Sequence, residues 1–397
     1  MTGFHRLQEA VTASKRVLVR VDFNVPMQDG VVSDDTRLRR AKPTIDLLRE
    51  AGAKVILLSH FGRPNGQVIA NLSLNQIVPA LENILGCTVA FANDCVGQIA
   101  EQAVRAMRDG DVLLLENTRF HQGETVNDPA LASKMAALGD IFVHDAFSVA
   151  HRAQVSSFGL ATHLPAFAGL AMEYELDHLT QALGTPTHPV LAVVGGAKVS
   201  TKMELLKNLV SKVDILCVGG GMANTFLFAL GKPVGISLCE RGFADTALEI
   251  LDNAKRSGCE ILLPKDVVAA TAFAANAPHK VRLAEDVRDD EMIMDAGSDA
   301  VAALMHAIAR AKTVIWNGPL GAFELPPFDR ATIQAASYCA QQTTAGKLIS
   351  VAGGGDTVAA LNLAGIADQF TFVSTAGGAF LEWMEGKQLP GILCLSK

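Results

Sequence analysis

A stretch near the middle of the chain, V-L-A-V-V-G-G-A-K-V-S-T-K at residues 190–202, restricts the possible folds more than any other. Its leading apolar run is typical of a strand that is buried on both faces, as in a parallel sheet. The two glycines then permit a tight turn with space for a ligand beside the backbone. A helix from about Ala197 would place Lys198 and Lys202 on one face, because residues four apart are helix neighbours. The stretch therefore predicts a strand, a phosphate-binding turn and a helix, although a plain turn beside a solvated lysine fits the same residues.

Strand-like and helix-like segments alternate along the rest of the chain. The apolar runs before the central stretch lie at residues 17–22, 54–59, 88–91, 111–115 and 140–144. The alternation continues after it to about residue 374, with a less regular part at 267–287 that has room for short extra strands. This spacing is typical of βαβ units. We therefore expect an α/β protein with two doubly wound (Rossmann-like) parallel-sheet lobes, joined by a hinge helix.

The boundary between the lobes follows from one segment. Apolar residues recur at helical spacing from Leu170 to Leu183, and the Gly- and Pro-containing run 184–189 ends the helix. A length of 397 residues is sufficient for two domains. We expect a first lobe at residues 1–170, a hinge helix and linker at 171–188, and a second lobe at 189–374.

The composition favours a globular protein and argues against several other classes. Hydrophobic residues make up 49% and charged residues 19%, which is typical of a globular protein with large cores. The net charge of -7 argues against a nucleic-acid partner. The 7 cysteines are odd in number and form no C-x-x-C pair, so neither a disulfide framework nor a zinc site is indicated. The N-terminal residues have no signal-peptide pattern, and the uncharged stretch 215–231 contains three successive glycines, which favours a core segment over a membrane span. We expect a cytoplasmic protein without a membrane or nucleic-acid partner.

Charged side chains follow the predicted strands of the first lobe, where ligands bind in parallel sheets. Arginines come after four of these strands, and two of the strand ends also carry a histidine. The residues are Arg20, Asp22, Asn24, Arg37, His60, Arg63, Arg119, His151 and Arg152. Arginine grips phosphate and carboxylate groups bidentately, so the pattern predicts an anion pocket. His144 lies within a strand instead, and we expect it to be a satisfied core histidine.

Glycine-rich turns follow the predicted strands of the second lobe. The run G-G-G-D-T at residues 353–357 opens a helix, and offers amide donors to phosphate and the Asp356 carboxylate to a hard cation such as Mg²⁺. Glu324, in a turn, is suited to a ribose, although a surface acid fits equally well. The P-loop and the dinucleotide fingerprint are both missing from the sequence.

One lobe therefore suits an acidic metabolite and the other a magnesium nucleotide, which together indicate phosphoryl transfer. The predicted pocket of the first lobe offers arginines and histidines but no obvious general base. None is needed if the nucleophile and the leaving group are both already ionised oxygens, as in an acyl phosphate and a nucleotide β-phosphate. Cationic side chains would then neutralise the charge on the transferring group.

The chain resembles phosphoglycerate kinases from end to end. Nine short segments carry the resemblance, in the family's order along the chain. They are R-V-D-F-N-V-P (20–26), H-F-G-R-P (60–64), E-N-T-R-F (116–120), D-A-F-S-V-A-H-R (145–152), G-G-A-K-V-S-T-K (195–202), G-G-G-M-A-N-T-F (219–226), W-N-G-P-L-G-A-F-E (316–324), G-G-G-D-T (353–357) and L-P-G-I (389–392). Together they make the resemblance specific.

The resemblance implies reversible transfer of the acyl phosphate of 1,3-bisphosphoglycerate to Mg-ADP, giving 3-phosphoglycerate and ATP, in glycolysis and gluconeogenesis. It implies in-line transfer after domain closure by a monomer, with the C-terminal tail, about residues 375–397, packing back on the first lobe. Matched by motif, Arg37 and Lys198 are implied to be catalytic. Phosphoglycerate is implied to bind to Asp22, Phe23, Asn24, Arg37, His60, Phe61, Gly62, Arg63, Arg119 and Arg152. The nucleotide is implied to bind to Gly195, Gly196, Lys198, Lys202, Gly219, Gly220, Asn317, Pro319, Glu324, Gly354, Gly355, Asp356 and Thr357, with Asp356 also holding Mg²⁺.

The chain departs from the usual pattern of this family at a few positions. They are Phe61 for Leu, Ser148-Val149 for Gly-Thr, Asn224 for Tyr, Ala376 for Gly, and Ile293 for a Gly that lines the nucleoside pocket. None of these differences removes a charged group. Two other functions fit the predicted fold. A two-domain dehydrogenase would need the missing dinucleotide fingerprint, and a non-catalytic anion-binding protein would leave the Asp356 turn without a purpose.

Overall fold

The structure, a computed structural model, describes residues 3–397, so residues 1 and 2 of the predicted first lobe lie outside it. The chain divides into two units. The first contains the residues up to Asp177 together with Gln388–Lys397, and the second contains His178–Lys387. The tail that belongs to the first unit is thus shorter than the predicted 375–397. The reason is that the helix Gly377–Met384 packs in the second unit, where the Phe380 ring fills the space above Gly353.

The first unit alternates strands and helices. Its strands are β1 (Arg16–Arg20), β2 (Met27–Gln28), β3 (Val31–Val32), β4 (Lys54–Leu58), β5 (Val89–Ala92), β6 (Val112–Leu115), β7 (Ile141–His144) and β8 (Ala166–Ala168). Its helices are α1 (Thr36–Glu50), α2 (Val78–Leu85), α3 (Gly97–Ala106), α4 (Pro129–Ala136) and α5 (Leu170–Leu179), whose last two residues belong to the second unit. Pro79 lies in the first turn of α2, as expected of a proline that shortens a helix.

Six of these strands form one parallel sheet, in the order β5-β6-β4-β1-β7-β8. The sheet is buried on both faces. Val17 and Val19 of β1 belong to one apolar cluster, whereas Leu18 between them belongs to another on the opposite face. This explains why the strands are continuous apolar runs instead of alternating patterns.

The second unit repeats the plan and adds a small sheet. Its strands are β9 (Val190–Val194), β10 (Ile215–Val218), β11 (Glu260–Leu262), β12 (Asp266–Ala270), β13 (His279–Leu283), β14 (Met292–Ala296), β15 (Thr313–Asn317), β16 (Ile349–Gly353) and β17 (Phe372–Ser374). Its helices are α6 (Met203–Leu209), α7 (Gly220–Ala229), α8 (Ala244–Ser257), α9 (Ser298–Arg310), α10 (Arg330–Thr344), α11 (Gly355–Leu363) and α12 (Gly377–Met384). The last helix of the chain, α13 (Pro390–Leu393), lies in the tail of the first unit.

The main sheet of the second unit is parallel, in the order β11-β10-β9-β15-β16-β17. The predicted α/β class with two parallel-sheet lobes is therefore confirmed. The irregular part that was expected at 267–287 contains β12 and β13, which join β14 in an antiparallel sheet. Among residues 3–397, no helix is both long and apolar enough to cross a bilayer.

Two predictions about local structure are wrong. The helix expected from about Ala197 begins only at Met203, after an extended Lys198 and a single 3-10 turn at Val199–Thr201. Lys198 and Lys202 therefore do not share a helix face. His144 is buried, as predicted, but only its Nδ1 is satisfied, by the N–H of Ala146 at 3.3 Å. Its Nε2 has no hydrogen-bond partner in the described part of the chain, and burial lowers the pKa of this imidazole to about 3.

Candidate active site

Arginines line a cleft of about 380 Å³ in the first unit, beside the carboxyl ends of β4 and β6. The lining residues are Arg63, Asn65, Gly66, Arg119, His121, Gln122, Thr125, Arg152 and Gln154. Three arginines that the sequence predicts as substrate ligands are thus brought together. They come from three separate loops, which only the parallel arrangement of the strands places at one edge.

Arg119 shows the electrostatic character of this cleft. Its Nη1 donates to the carbonyl oxygen of Gly62 at 2.8 Å, and its Nε is buried without a hydrogen-bond partner among the described residues. Burial lowers the pKa of Arg119 to about 10, and the nearby charges of Arg20 and Arg152 act in the same direction. The unused Nε donor of Arg119, beside two other guanidinium groups, makes this cleft suited to an anion.

His60 is held as a neutral hydrogen-bond donor. It is buried, and desolvation lowers its pKa well below the usual value, with Arg20, Arg119, Arg152 and Arg37 adding to the effect. Its Nδ1 lies 3.0 Å from Nη2 of Arg20. Because a guanidinium only donates hydrogen bonds, Nδ1 must accept and the proton must lie on Nε2. His60 therefore offers an N–H to a ligand at neutral pH.

Arg20 itself is fully buried behind the site and does not line the cleft. Its Nε donates to Oγ of Ser156 at 2.8 Å, and Ser156 donates in turn to the buried carboxylate of Glu124. Its Nη1 also contacts the carbonyl oxygen of Val21. A buried cation with partners on each nitrogen is fixed in place, so Arg20 acts on the site through His60.

A second group of residues follows β1. Nη1 of Arg37 lies 3.0 Å from Oδ2 of Asp22 and donates to the carbonyl oxygen of Asn24 at 2.8 Å. The hydroxyl of Ser148, from the loop after β7, donates to the same Oδ2 of Asp22 at 2.6 Å. The Arg37 side chain is 36% exposed. Among the described residues, Nη2 and Nε of Arg37 have no hydrogen-bond partner.

The remaining predicted residues of the first unit shape the turn after β4. The side chain of Asn24 accepts from the N–H of Gly62 at 2.8 Å, and Gly62 has a φ of 60°, where an added Cβ would meet Leu72 at 2.8 Å. Phe23 and Phe61 lie in the core, and their N–H groups donate to Ser59 and Asn117. The side chains of Phe23 and Phe61 therefore support the predicted site instead of lining it.

In the second unit, Lys202 lies against the turns that follow β9 and β15. Its Nζ donates to the carbonyl oxygen of Gly195 at 2.6 Å and to Oδ1 of Asn317 at 2.6 Å. Burial lowers the pKa of Lys202 to about 8, and the charge of Asp356 acts in the opposite direction. Lys198, in contrast, is exposed. Of the two predicted lysines, Lys202 is thus the one that is built into the turn.

Close backbone contacts explain the glycines of this region. A Cβ on Gly195 would lie 1.8 Å from the carbonyl oxygen of Pro319, and one on Gly219 would lie 2.9 Å from the Cα of Leu320. Gly220 has a φ of 64° and faces the backbone of Gly196. The turns after β9, β10 and β15 pack directly against one another, which residues with side chains at these positions would not permit.

The turn after β16 is hydrogen-bonded to the turn after β15. Nδ2 of Asn317 donates to the carbonyl oxygen of Gly353 at 2.7 Å, and the hydroxyl of Thr357 accepts from the N–H of Gly318 at 2.7 Å. Gly354 has a φ of 98° and leads into α11, which begins at Gly355. Thr357 is buried, so its hydroxyl orders the turn.

A cleft of about 260 Å³ extends beside these turns. Its walls are mostly apolar, and Glu324 and Asp356 lie at it as exposed carboxylates. Ile293, one of the departures from the usual pattern, lines it and packs with Leu227 and Val234. An apolar cleft flanked by a lysine and carboxylates suits a nucleotide, with the base in the cleft and the phosphates near Lys202.

Two places offer ligands for a metal ion. Asp356 lies in the first turn of α11, and no hydrogen bond or ion pair among the described residues engages its carboxylate, so its oxygens fit a hard cation. Asp94, Cys95 and His121 place three ligand atoms within 4.8 Å of one another. There, Oδ1 of Asp94 already accepts from the N–H of Cys95 and contacts Nε2 of His121 at 2.7 Å, and burial raises the pKa of the Cys95 thiol well above its usual value. These contacts favour a structural role for the second group.

Sequence reasoning missed several residues that order the two sites. In the first unit they are Ser156 and Glu124, and in the second they are Glu240 and Asp295; Ser148 was noted only as a departure from the family pattern, without a role. Glu240 accepts from the N–H and the hydroxyl of Ser200 and so fixes the turn before Lys202. Asp295 accepts from the N–H groups of Ala331 and Ala296, and burial raises its pKa to about 7. No sequence pattern marks them, because their partners are distant in the chain.

The phosphoglycerate kinase family model matches residues 7–387 of the chain. The chain belongs to the phosphoglycerate kinase family. A phosphoglycerate kinase from Agrobacterium fabrum is 58% identical over 384 residues, which cover 97% of this chain and 96% of the relative. One from Xanthobacter autotrophicus is 58% identical over 397 residues and covers 100% of both chains.

Solved structures of phosphoglycerate kinases agree with this assignment. The structure from Coxiella burnetii is 42% identical, covers 99% of both chains and superposes with a TM-score of 0.93. That from Pyrococcus horikoshii is 28% identical, covers 98% of both chains and has a TM-score of 0.80. The chain is therefore a phosphotransferase, the phosphoglycerate kinase of glycolysis, which decides against both the dehydrogenase and the non-catalytic alternative.

Proposed function

We propose that the first unit binds phosphoglycerate, that the second binds Mg-ADP or Mg-ATP, and that phosphoryl transfer joins the two sites. The predicted functional boundaries (1–170, hinge and linker 171–188, and 189–374) are part of this proposal. The arginine cleft of the first unit is the observation that carries it, because Arg63, Arg119 and Arg152 line one cleft and Arg119 keeps an unused buried donor.

The chemistry of phosphoglycerate matches the first unit group by group. Its phosphate and carboxylate only accept hydrogen bonds or pair with cations, which the arginines and the Nε2–H of His60 provide. Its hydroxyl is the one group of the ionised molecule that donates, and Asp22 is the acidic side chain beside Arg37. We assign the hydroxyl to Asp22. Asn24 and Gly62 hold the loop that carries these groups.

The second unit supplies the nucleotide site. In the proposal the base occupies the apolar cleft with Ile293, Glu324 binds the ribose, and Lys202 attracts the phosphates. The glycine turns at Gly195, Gly196, Gly219 and Gly220, with Asn317 and Pro319, form the floor. Gly354, Gly355 and Thr357 form the turn at the start of α11. Asp356 would hold the Mg²⁺ that accompanies the nucleotide, where the ion would neutralise phosphate charge.

Transfer in this proposal requires no general base. The attacking group is an ionised oxygen in both directions, either the carboxylate of phosphoglycerate or the terminal phosphate of ADP. The protein's task is therefore to align the reactants in line and to stabilise the negative charge of the transferring group. We assign that task to Arg37, whose Nη2 and Nε have no hydrogen-bond partner among the described residues, and to the exposed Lys198. Because the substrates belong to different units, the reaction requires hinge-bending closure that excludes water.

The experiment that tests the proposal is ATP-dependent phosphorylation of 3-phosphoglycerate, measured with and without Mg²⁺. Activity that requires Mg²⁺ is expected, and its absence with Mg²⁺ present would contradict the proposal. Arg37→Ala should lower kcat roughly 100-fold with a much smaller change in the KM for 3-phosphoglycerate, since the lost charge acts on the transition state. Arg39→Ala is the matched control, because Arg39 lies on the same helix and pairs with Asp35 at 2.7 Å. A raised KM with unchanged kcat would show that Arg37 only binds substrate.

We also propose that the enzyme acts as a cytoplasmic monomer without nucleic-acid or membrane partners. The net charge of -7 supports this, since nucleic acids and anionic lipid surfaces attract cationic proteins. Light scattering coupled to size-exclusion chromatography should give a mass close to 41.9 kDa. A mass twice as large would contradict the proposal that the enzyme is a monomer.

A further inference from the structure

Ser148 lies on a rigid part of the first unit and reaches toward the predicted substrate residues. It forms a 3-10 turn with Phe147 and Val149, whose side chains are both buried. Its hydroxyl donates to Oδ2 of Asp22 at 2.6 Å. Asp22 follows β1 and Ser148 follows β7, and these two strands pair in the sheet. The contact therefore connects two loops that the core holds in register.

The Asp22 carboxylate has one acceptor position left over. A carboxylate has about four lone-pair positions on its two oxygens. Oδ2 of Asp22 receives the Ser148 hydroxyl and lies 3.0 Å from Nη1 of Arg37 in an ion pair, so this oxygen is engaged on two sides. Oδ1 accepts from the N–H of Asn24 at 3.2 Å. The second position of Oδ1 remains for a ligand, and the Asp22 side chain is 13% exposed.

Without the Ser148 hydroxyl, this arrangement has a competitor. Arginine prefers to meet a carboxylate through two parallel hydrogen bonds. A carboxylate that is free to rotate can also turn Oδ1 toward Nη1 of Arg37, which would occupy the open position of Oδ1. The Ser148 hydroxyl opposes this rotation, because its hydrogen bond from the loop after β7 keeps Oδ2 in place.

We propose that Ser148 is a positioning residue that fixes the Asp22 carboxylate with Oδ1 turned toward the hydroxyl of phosphoglycerate. The inference rests on the proposed function, since it needs phosphoglycerate in this site. Ser148 acts only through Asp22. Its removal should weaken the binding of a substrate that carries the hydroxyl and leave the nucleotide site unchanged.

The test is Ser148→Ala in the full-length enzyme. The KM for 3-phosphoglycerate should rise about 12- to 150-fold, the range expected for a lost hydrogen bond to a charged group, with kcat and the KM for ATP within about twofold of the original enzyme. Ser148→Thr keeps the hydroxyl and should restore the KM to within about twofold. Ser133→Ala, which removes an exposed serine of α4, is the matched control and should change nothing.

An analogue of 3-phosphoglycerate without the hydroxyl, phosphorylated 3-hydroxypropionate, separates positioning from a general structural effect. Its affinity should be equal for the original enzyme and for Ser148→Ala. An equal loss for both ligands, or an unchanged KM for 3-phosphoglycerate, would overturn the inference. If the alanine variant has a lowered melting temperature, the same KM measurement is made on Ser148→Gly, which also lacks the hydroxyl and should show the same rise. Failure of the proposed function is recognised separately, because the unmutated enzyme would then not phosphorylate 3-phosphoglycerate at all.

Discussion

The charge of Lys202 should make nucleotide binding depend on pH. Its ammonium group lies between the turns after β9 and β15, with the carbonyl oxygen of Gly195 and Oδ1 of Asn317 each at 2.6 Å. Burial lowers its pKa to about 8. In the free enzyme the lysine is therefore charged below this value and increasingly neutral above it. Nucleotide phosphates favour the charged form, so binding above pH 8 has to include uptake of a proton.

The size of the effect follows from this pKa. If only the charged form binds, the apparent Kd rises by the factor 1 + 10^(pH − 8). Between pH 7.5 and 9.5 this gives about a 25-fold loss of affinity, or roughly 1.9 kcal/mol. The terminal phosphate of ADP ionises near pH 6, by analogy with other phosphate monoesters, so it contributes little in this range.

Isothermal titration calorimetry with ADP measures both consequences. The Kd should rise about 25-fold between pH 7.5 and 9.5, and titrations in buffers of different ionisation enthalpy should show uptake of about one proton at the upper pH. Lys202→Arg is the control, because its guanidinium stays charged and its Kd should not depend on pH in this range. A change of less than about threefold in the original enzyme would refute the reasoning, as would the same pH dependence in Lys202→Arg.

Two further predictions concern stability. Gly195→Ala should lower the free energy of unfolding of the second unit by roughly 3 kcal/mol or more, because its Cβ would lie 1.8 Å from the carbonyl oxygen of Pro319. Thermal unfolding compares it with Gly242→Ala, whose Cβ meets nothing within 4 Å, and equal melting temperatures would contradict the prediction. The second concerns Asp145, which accepts from the N–H groups at the start of α5 and whose pKa burial raises to about 7. Because this folded pKa lies above the unfolded one, the stabilisation by this group is complete below about pH 4 and is lost as the pH rises through 7. Asp145→Asn should remove that loss, so its stability relative to the original enzyme should improve by about 2–3 kcal/mol between pH 5 and 8.5. Denaturation curves with the same pH dependence for both proteins would show that Asp145 does not titrate in this range.

Much of the fold could be predicted because the sheets are parallel and buried on both faces. The run at Val190–Val194 is apolar throughout, and such runs separated by helical segments leave few alternatives. Short strands were harder to predict from the sequence than these long apolar runs. The hairpin of β2 and β3 and the strand Ala166–Ala168 were not predicted, because two or three residues are too few to show a period. The start of α6 was misplaced because Lys198 is extended and Val199–Thr201 form a 3-10 turn, in which Ser200 is held by Glu240, 40 residues away.

The sequence by itself determined which chemical groups are available and which strand ends carry them. Arginines after the strands of the first half and glycine turns with Asp356 in the second follow from local pattern, since each motif is continuous in the chain. Only the tertiary structure decided how these groups act. The tautomer of His60 depends on Arg20, and Asp22 accepts a hydrogen bond from Ser148, 126 residues further along the chain. Hydrogen bonds of this kind are made by the packing of distant segments, and no local pattern encodes them.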